Sequence, residues 1–241
     1  SNDYNLVYKK AIEYYNKGDY QRAMNLLDGV RSVFVGQAKA QNIAYYRAFC
    51  SYNMKDYQIA SDLFKQFIQT YPESSFAEEC LYMMGFCDYK ASPKPRLDQQ
   101  VTEKAIREFQ LYLSRYPYSM RKDKVNTYMD EMRDKLSYKA YLSAKNYYLR
   151  EHYKAAVISL QNCLKDYPGS KYREEIMYML FVSKYQMAVN SVEDKKVERY
   201  NNAREEYYYF ADEYPNSRYA ADVKKMYEDI EAYLENYKFE D

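Results

Sequence analysis

The stretch Tyr57–Ser74, YQIASDLFKQFIQTYPES, sets Tyr57, Ala60, Phe64 and Phe67 on a three-four-three spacing and then meets Pro72. Residues so spaced share one face of a helix. Proline cannot continue that helix, and it turns the residue before it toward extended backbone. The ending returns as YPYS at Tyr116, YPGS at Tyr167 and YPNS at Tyr214. Ala60, Ala105, Ala156 and Ala203 each stand eleven residues before these tyrosines, and Ala23 stands eleven before Phe34. Four residues after the alanines come Leu27, Phe64, Phe109, Leu160 and Tyr207; seven after them come Val30, Phe67, Tyr112, Cys163 and Phe210. One amphipathic helix is written five times. The serine that closes each Tyr-Pro-x-Ser is placed to cap the helix that follows.

Each of these helices has a partner upstream. Tyr8, Tyr45, Tyr82, Tyr141 and Tyr178 are one equivalent position, and Tyr15, Tyr52, Tyr89, Tyr148 and Tyr185 are a second, seven residues on. A small or apolar residue lies four before the second tyrosine: Ala11, Ala48, Gly85, Ala144 and Phe181. Short polar turns, KGDY, MKDY and REHY, join the two helices in repeats 1, 2 and 4. The pattern resembles the tetratricopeptide repeat, which implies an all-α superhelix of five helical hairpins. The segment Tyr219–Asn236 reads as a C-terminal capping helix.

Departures from the period mark further features. Pro93 and Pro95 in the insert at 92–101 predict a non-helical excursion. The charged insert at 188–199, around NSVEDKKVER, fits a solvated loop or an extension of either neighbouring helix. Tyr116 to Tyr148 spans 32 residues, against 18 from Tyr71 to Tyr89. The surplus of 14 residues adds about 21 Å of helix, and no Gly or Pro interrupts it. One long helix is therefore expected from near Met120 to near Arg150, dividing the chain into an N-terminal block, 1–118, and a C-terminal block, 119–241.

Composition excludes several classes. Lys and Arg number 36 against 35 Asp and Glu, so no basic field exists to condense on phosphate and nucleic acid is not an expected partner. Only 5 glycines argue against phosphate-cradling loops. No apolar run is long enough to span a membrane. The chain opens on polar Ser1-Asn2-Asp3, without the apolar core of a signal peptide. Cys50, Cys80, Cys87 and Cys163 show no CxxC spacing and read as packing thiols. His152, the sole histidine, reads as a surface turn residue with no nucleophile placed beside it. No catalytic, cofactor or metal site is expected.

The tyrosine pairs carry the functional expectation. In tetratricopeptide folds the first helices line the concave surface, so the resemblance implies a groove in repeats 1 to 3. Tyr8, Ile12, Tyr15, Tyr45, Phe49, Tyr52, Tyr82, Phe86 and Tyr89 would line it. Tyrosine suits peptide capture, since a rigid ring carries a hydroxyl that can satisfy a strand's backbone. The alternative role for these rings is packing between repeats. A second set, Tyr141, Lys145, Tyr148, Tyr178 and Tyr185, would serve a different partner, because Lys145 replaces an apolar residue.

Three segments resemble the BamD/ComL family of outer-membrane β-barrel assembly lipoproteins: Leu97–Ser119, Met132–Tyr148 and Tyr153–Glu175. The insert after Tyr185 is similar to that of Bacteroidetes-type members. The resemblance implies a non-enzymatic scaffold on the periplasmic face of the outer membrane, tethered by an acylated N-terminal cysteine that is not in this chain. Its implied partners are a BamA-like barrel protein, unfolded outer-membrane proteins and, in some cases, other assembly lipoproteins. Ser159 stands where relatives often carry Arg. The competing expectation is another periplasmic repeat scaffold, such as one coordinating cell-wall synthesis with division.

Overall fold

A computed structural model describes residues 3–237; Ser1 and Asn2, at the polar start noted above, lie outside the described residues. The described chain is all-α. Five hairpins follow one another: α1 (Tyr4–Asn16) with α2 (Tyr20–Val30), α3 (Ala38–Asn53) with α4 (Tyr57–Thr70), α5 (Ala77–Ala91) with α6 (Gln100–Arg115), α7 (Lys122–Leu149) with α8 (Tyr153–Asp166), and α9 (Arg173–Val189) with α10 (Glu193–Glu213). The helix α11 (Ala220–Tyr237) follows the last hairpin. The long helix α7 has 28 residues. Two compact units divide within it, Ser1–Arg133 and Asp134–Asp241.

The repeat alanines Ala23, Ala60, Ala105, Ala156 and Ala203 are all fully buried. Their small side chains let the partner helix approach, and Leu27, Phe64, Phe109 and Leu160 one turn on are buried as well. Repeat 5 departs from this. Phe181 occupies the small position and is itself buried, while Tyr207 is displaced to stack on Tyr227 at 3.9 Å. Repeat 3 takes the opposite solution, with Gly85 against the Phe109 ring.

The hairpin turns share one geometry. Gly18, Lys55 and Glu151 all adopt left-handed backbone, with φ of 80°, 67° and 58°. In each, the N–H of this residue bonds the carbonyl of the second-ladder tyrosine, and the next N–H bonds the residue before it, as Lys55 to Tyr52 and Asp56 to Ser51. These are Schellman closures, in which glycine is preferred because it carries no Cβ.

The Tyr-Pro-x-Ser ends are also uniform. Tyr71, Tyr116, Tyr167 and Tyr214 all lie near φ −130° and ψ 60°. The serine expectation requires correction. The next helix begins three residues after it, and Phe76 and Tyr172, not serine, precede α5 and α9. Instead, Ser74, Ser119, Ser170 and Ser217 each accept the N–H two residues on, at 3.0–3.2 Å. A side chain this short closes its own local turn before the helix starts. The inserts resolve differently from each other. Residues 92–99 stay outside helix, as the prolines require, while 193–199 lengthen the start of α10.

Two variants test this packing. A Cβ at position 85 would lie 2.8 Å from Phe109 Cδ1, a fully buried ring atom. Gly85→Ala should therefore lower stability in urea by about 1–2 kcal/mol, although alanine is the better helix former. Lys55→Gly should raise it by roughly 0.5–1 kcal/mol by relieving left-handed strain.

Candidate functional site: the tyrosine ladders of the first helices

In the first unit the ladder residues other than Tyr8 form a continuous aromatic band. Tyr15 meets Tyr46 at 4.9 Å, Tyr46 meets Tyr45 at 5.5 Å, and Tyr45 meets Phe49 at 4.6 Å. The band continues through Tyr52 to Phe86 at 6.2 Å, then to Tyr82 and Tyr89, both stacked on Phe86. It ends on Tyr128 of α7, 4.4 Å from Tyr89. Tyr8 packs apart from these, edge-on to Phe34. Ile12 lies half-buried on α1. Ring pairs of this kind contribute about 0.5–1.5 kcal/mol each beyond buried area.

Carboxylates hold tyrosines of both ladders. Tyr45 Oη donates to Glu79 at 2.9 Å and Tyr141 Oη to Glu175 at 2.8 Å. Each carboxylate lies 34 residues after its tyrosine, on the first helix of the next hairpin. Tyr82 and Tyr141 are buried. Burial, then the Glu79 carboxylate, pushes the Tyr45 hydroxyl far above its ordinary range, so it stays a donor. The other first-ladder tyrosines, Tyr8, Tyr45 and Tyr178, are half-buried, and so is the whole second ladder, Tyr15, Tyr52, Tyr89, Tyr148 and Tyr185. Tyr89 donates to Glu131 at 2.5 Å and Tyr185 to Asp229 at 3.2 Å.

In the second unit Lys145 joins the first-ladder link. Its Nζ donates to Glu175 Oε1 and lies 2.9 Å from Tyr141 Oη. Those hydrogen bonds hold its ammonium well above the usual lysine range. Beside it, Tyr141 stacks on Tyr172 at 4.4 Å, and the two help line a cleft of about 430 Å3 with Tyr138, Asn146 and Leu149. Tyr178 stacks on Tyr219 at 4.0 Å, and Tyr148 borders it.

Sequence reasoning missed Tyr46, Tyr128, Glu79 and Glu175. The constant 34-residue offset would have found the glutamates; Tyr128 lies inside the helical surplus, where no repeat position names it. Among the described residues the cysteines and His152 do not gather at one site. Cys50, Cys80, Cys87 and Cys163 are buried free thiols, and burial pushes Cys163 up to about 11. His152 is exposed on a cleft of about 650 Å3 whose lining holds no Ser, Thr or Cys. Among the described residues no group of three His, Cys, Asp or Glu could hold a metal ion, and no helix is long and apolar enough to cross a membrane.

One ionic cluster lies behind the band. Asp88, next to Tyr89, accepts from Ser61 at 3.0 Å and pairs with Lys104 at 2.8 Å. Lys104 also reaches Glu108 Oε1 at 3.6 Å, while Glu108 Oε2 is buried without a partner among the described residues.

Five paired-helix hairpins with an aromatic first-helix face define a tetratricopeptide-type repeat fold. The chain belongs to the YfiO family of outer membrane lipoproteins, whose model matches residues 1–175 and 140–240. No curated protein matches it. Among solved structures it is similar to a tetratricopeptide-repeat protein from Bacteroides fragilis, at 13% identity, 96% of this chain, 99% of that chain and a TM-score of 0.45. It is also similar to the TPR2AB domain of yeast Sti1 in its pHSP90 complex, at 14% identity, 95% of this chain, 98% of that chain and a TM-score of 0.43.

Glu108 gives a pH prediction. Burial first, then neighbouring Asp88, raises its carboxyl to about 8 from the ordinary 4.5. The charged groups facing it are Asp88 from α5, Lys104 on α6 and, acting on Lys104, Asp62 of α4. The folded chain therefore keeps a proton that the unfolded chain releases. This contribution is complete below pH 4.5 and is lost as pH rises to about 8, on the order of a few kcal/mol. Urea unfolding at pH 5 and pH 8.5 should show the fall, and Glu108→Gln should flatten it.

Proposed function

We propose that the chain is a non-enzymatic adaptor of outer-membrane protein assembly, of the Bacteroidetes type. Residues 1–118 would hold an extended segment of an unfolded β-barrel precursor along the first-helix aromatic face. Residues 119–241 would bind the periplasmic domains of a BamA-like barrel protein through the face bearing Tyr141, Lys145, Tyr148, Tyr178 and Tyr185. The chain would act at the periplasmic face of the outer membrane, held by a lipid on a cysteine outside this sequence, with other assembly lipoproteins as further partners.

The observation that carries this reading is the aromatic band, with rings linked from Tyr15 through Phe49 and Phe86 to Tyr128. A rigid aromatic face gives contact area with little loss of side-chain entropy. A disordered client still loses its own freedom on capture, so affinity should be modest. Lys145 distinguishes the second face by charge, because Ile12, Phe49 and Phe86 occupy its position in the first three hairpins.

Replacing Tyr15, Tyr52 and Tyr89 together by Leu keeps apolar bulk while removing rings and hydroxyls from the ladder in which no ring is fully buried. Binding of a labelled peptide from the terminal strand of an outer-membrane barrel should weaken at least tenfold, with helical circular dichroism retained. Unchanged affinity would remove the client groove from this face. Capture of cell-wall synthases without a barrel protein would favour the competing division scaffold.

A further inference from the structure

The Tyr-Pro-x-Ser turn carries its own controls, because the fold builds it four times. Three copies place polar residues or glycine at x and two beyond it: Glu73 and Ser75, Gly169 and Lys171, Asn216 and Arg218. The α6–α7 copy places Tyr118 and Met120 there, with relative exposures of 97% and 102%. Its hydrogen bonds match the other copies: Ser119 N–H reaches the Tyr116 carbonyl at 3.1 Å, and Lys122 N–H reaches the Ser119 carbonyl at 3.1 Å. Neither apolar side chain is needed to build the turn, and neither gains burial from the fold.

Glu78 is bonded inward to Ser119 and Tyr112, and the exposed charges around the turn are mostly cationic, with Lys124 Nζ 5.9 Å from the Tyr128 ring centre. Arg115, Lys122 and Lys124 are exposed, and Asp123 is the only acid from 115 to 129. Arg121 is engaged within the unit, 4.8 Å from the Tyr82 ring centre and 3.8 Å from Glu79. The complement of this tip is an anionic surface that accepts two projecting apolar side chains. A protein interface of ordinary size needs about 800 Å2 from each partner. A single tyrosine supplies only about 150–250 Å2 and Met120 adds no more than a comparable area, so these two side chains alone fall short of such an interface. A lipid interface needs no matching socket, and tyrosine is enriched at headgroup depth.

We propose that the α6–α7 turn docks on anionic lipid, with Tyr118 and Met120 in the interfacial layer and Arg115, Lys122 and Lys124 over headgroup phosphates. Each cation strengthens such binding roughly fivefold at low salt. Modest intrinsic affinity suffices in a lipoprotein family, because a tethered chain meets its membrane at high effective concentration. The contact would orient the client-binding unit relative to the bilayer, independently of whether the aromatic band binds clients.

The chain lacks tryptophan, so Tyr118→Trp gives a single fluorescent reporter. With vesicles of phosphatidylethanolamine and phosphatidylglycerol, its emission should shift to the blue, and the shift should diminish with added salt. Vesicles of phosphatidylcholine alone should give little shift. In co-sedimentation, Tyr118→Ser with Met120→Ser, and separately Arg115→Gln with Lys122→Gln and Lys124→Gln, should each weaken binding at least tenfold. Unchanged thermal midpoints would show that these variants still fold. Failure of the parent chain to bind anionic vesicles, or equal binding by both variants, would overturn the proposal. So would a blue shift that requires an added protein partner, which would make the turn a protein contact.

Discussion

A helical hairpin of this length has no second layer of its own, so each repeat depends on the next for burial. The recurrent link is a first-helix tyrosine whose hydroxyl donates to a carboxylate on the following first helix, as Tyr45 does to Glu79 and Tyr141 to Glu175. A neutral donor meeting a charged acceptor makes a bond worth about 1.5–3 kcal/mol when part-buried. Its directionality fixes register, which stacking alone leaves free to slide. Glu78 and Glu174 add a second link at the preceding helical position. Ser119 and Tyr112 both donate to Glu78, and Ser217 donates to Glu174. In the fourth hairpin Ser137 takes this position and bonds Ser170 at 2.8 Å.

This connectivity was partly legible in the sequence. The helices and their pairing followed from Ala and Pro at fixed offsets, because both residues act through local sterics that a one-dimensional pattern records. The serine role did not follow, since capping the next helix and closing a local turn use the same residue type. Choosing between them needs the helix start, which the structure places three residues later. The charged insert at 188–199 was equally ambiguous. Its residues are good helix formers, and α10 begins at Glu193, where Glu193 and Asp194 stand in the first turn and favour the helix dipole.

The aromatic band was legible only in part, for a different reason. Tyr8, Tyr45 and Tyr82 occupy one repeat position, yet Tyr8 meets Phe34 while Tyr45 meets Tyr46, Phe49 and Phe76. Equivalent positions acquire different neighbours because the substitutions around them differ. Tyr128 completes the band from outside the repeat pattern altogether, contacting Phe86, Tyr89 and Phe109. The helical surplus thus supplies aromatic surface to the last hairpin of the first unit, where no further repeat of that unit follows.

Separating the two ladders sharpens what the proposed client face can offer. The Tyr45 hydroxyl is committed to Glu79, so binding a client through it would require breaking a link between repeats. Tyr52 carries no such carboxylate bond among the described residues, and its ring stays half in solvent between Tyr57 and Phe86. Tyr89 lies between these cases: its partner Glu131 is exposed, so water can replace that bond at little cost. An extended peptide would then find ring area along the whole band, and among the ladder hydroxyls those of Tyr52 and Tyr89 could be engaged without breaking a part-buried link between repeats. Such a face selects for apolar and aromatic content more than for a particular backbone register. That suits a precursor presenting many related strands better than a single fixed ligand, and it makes Tyr52 and Tyr89 the part of the band able to act without loosening the fold.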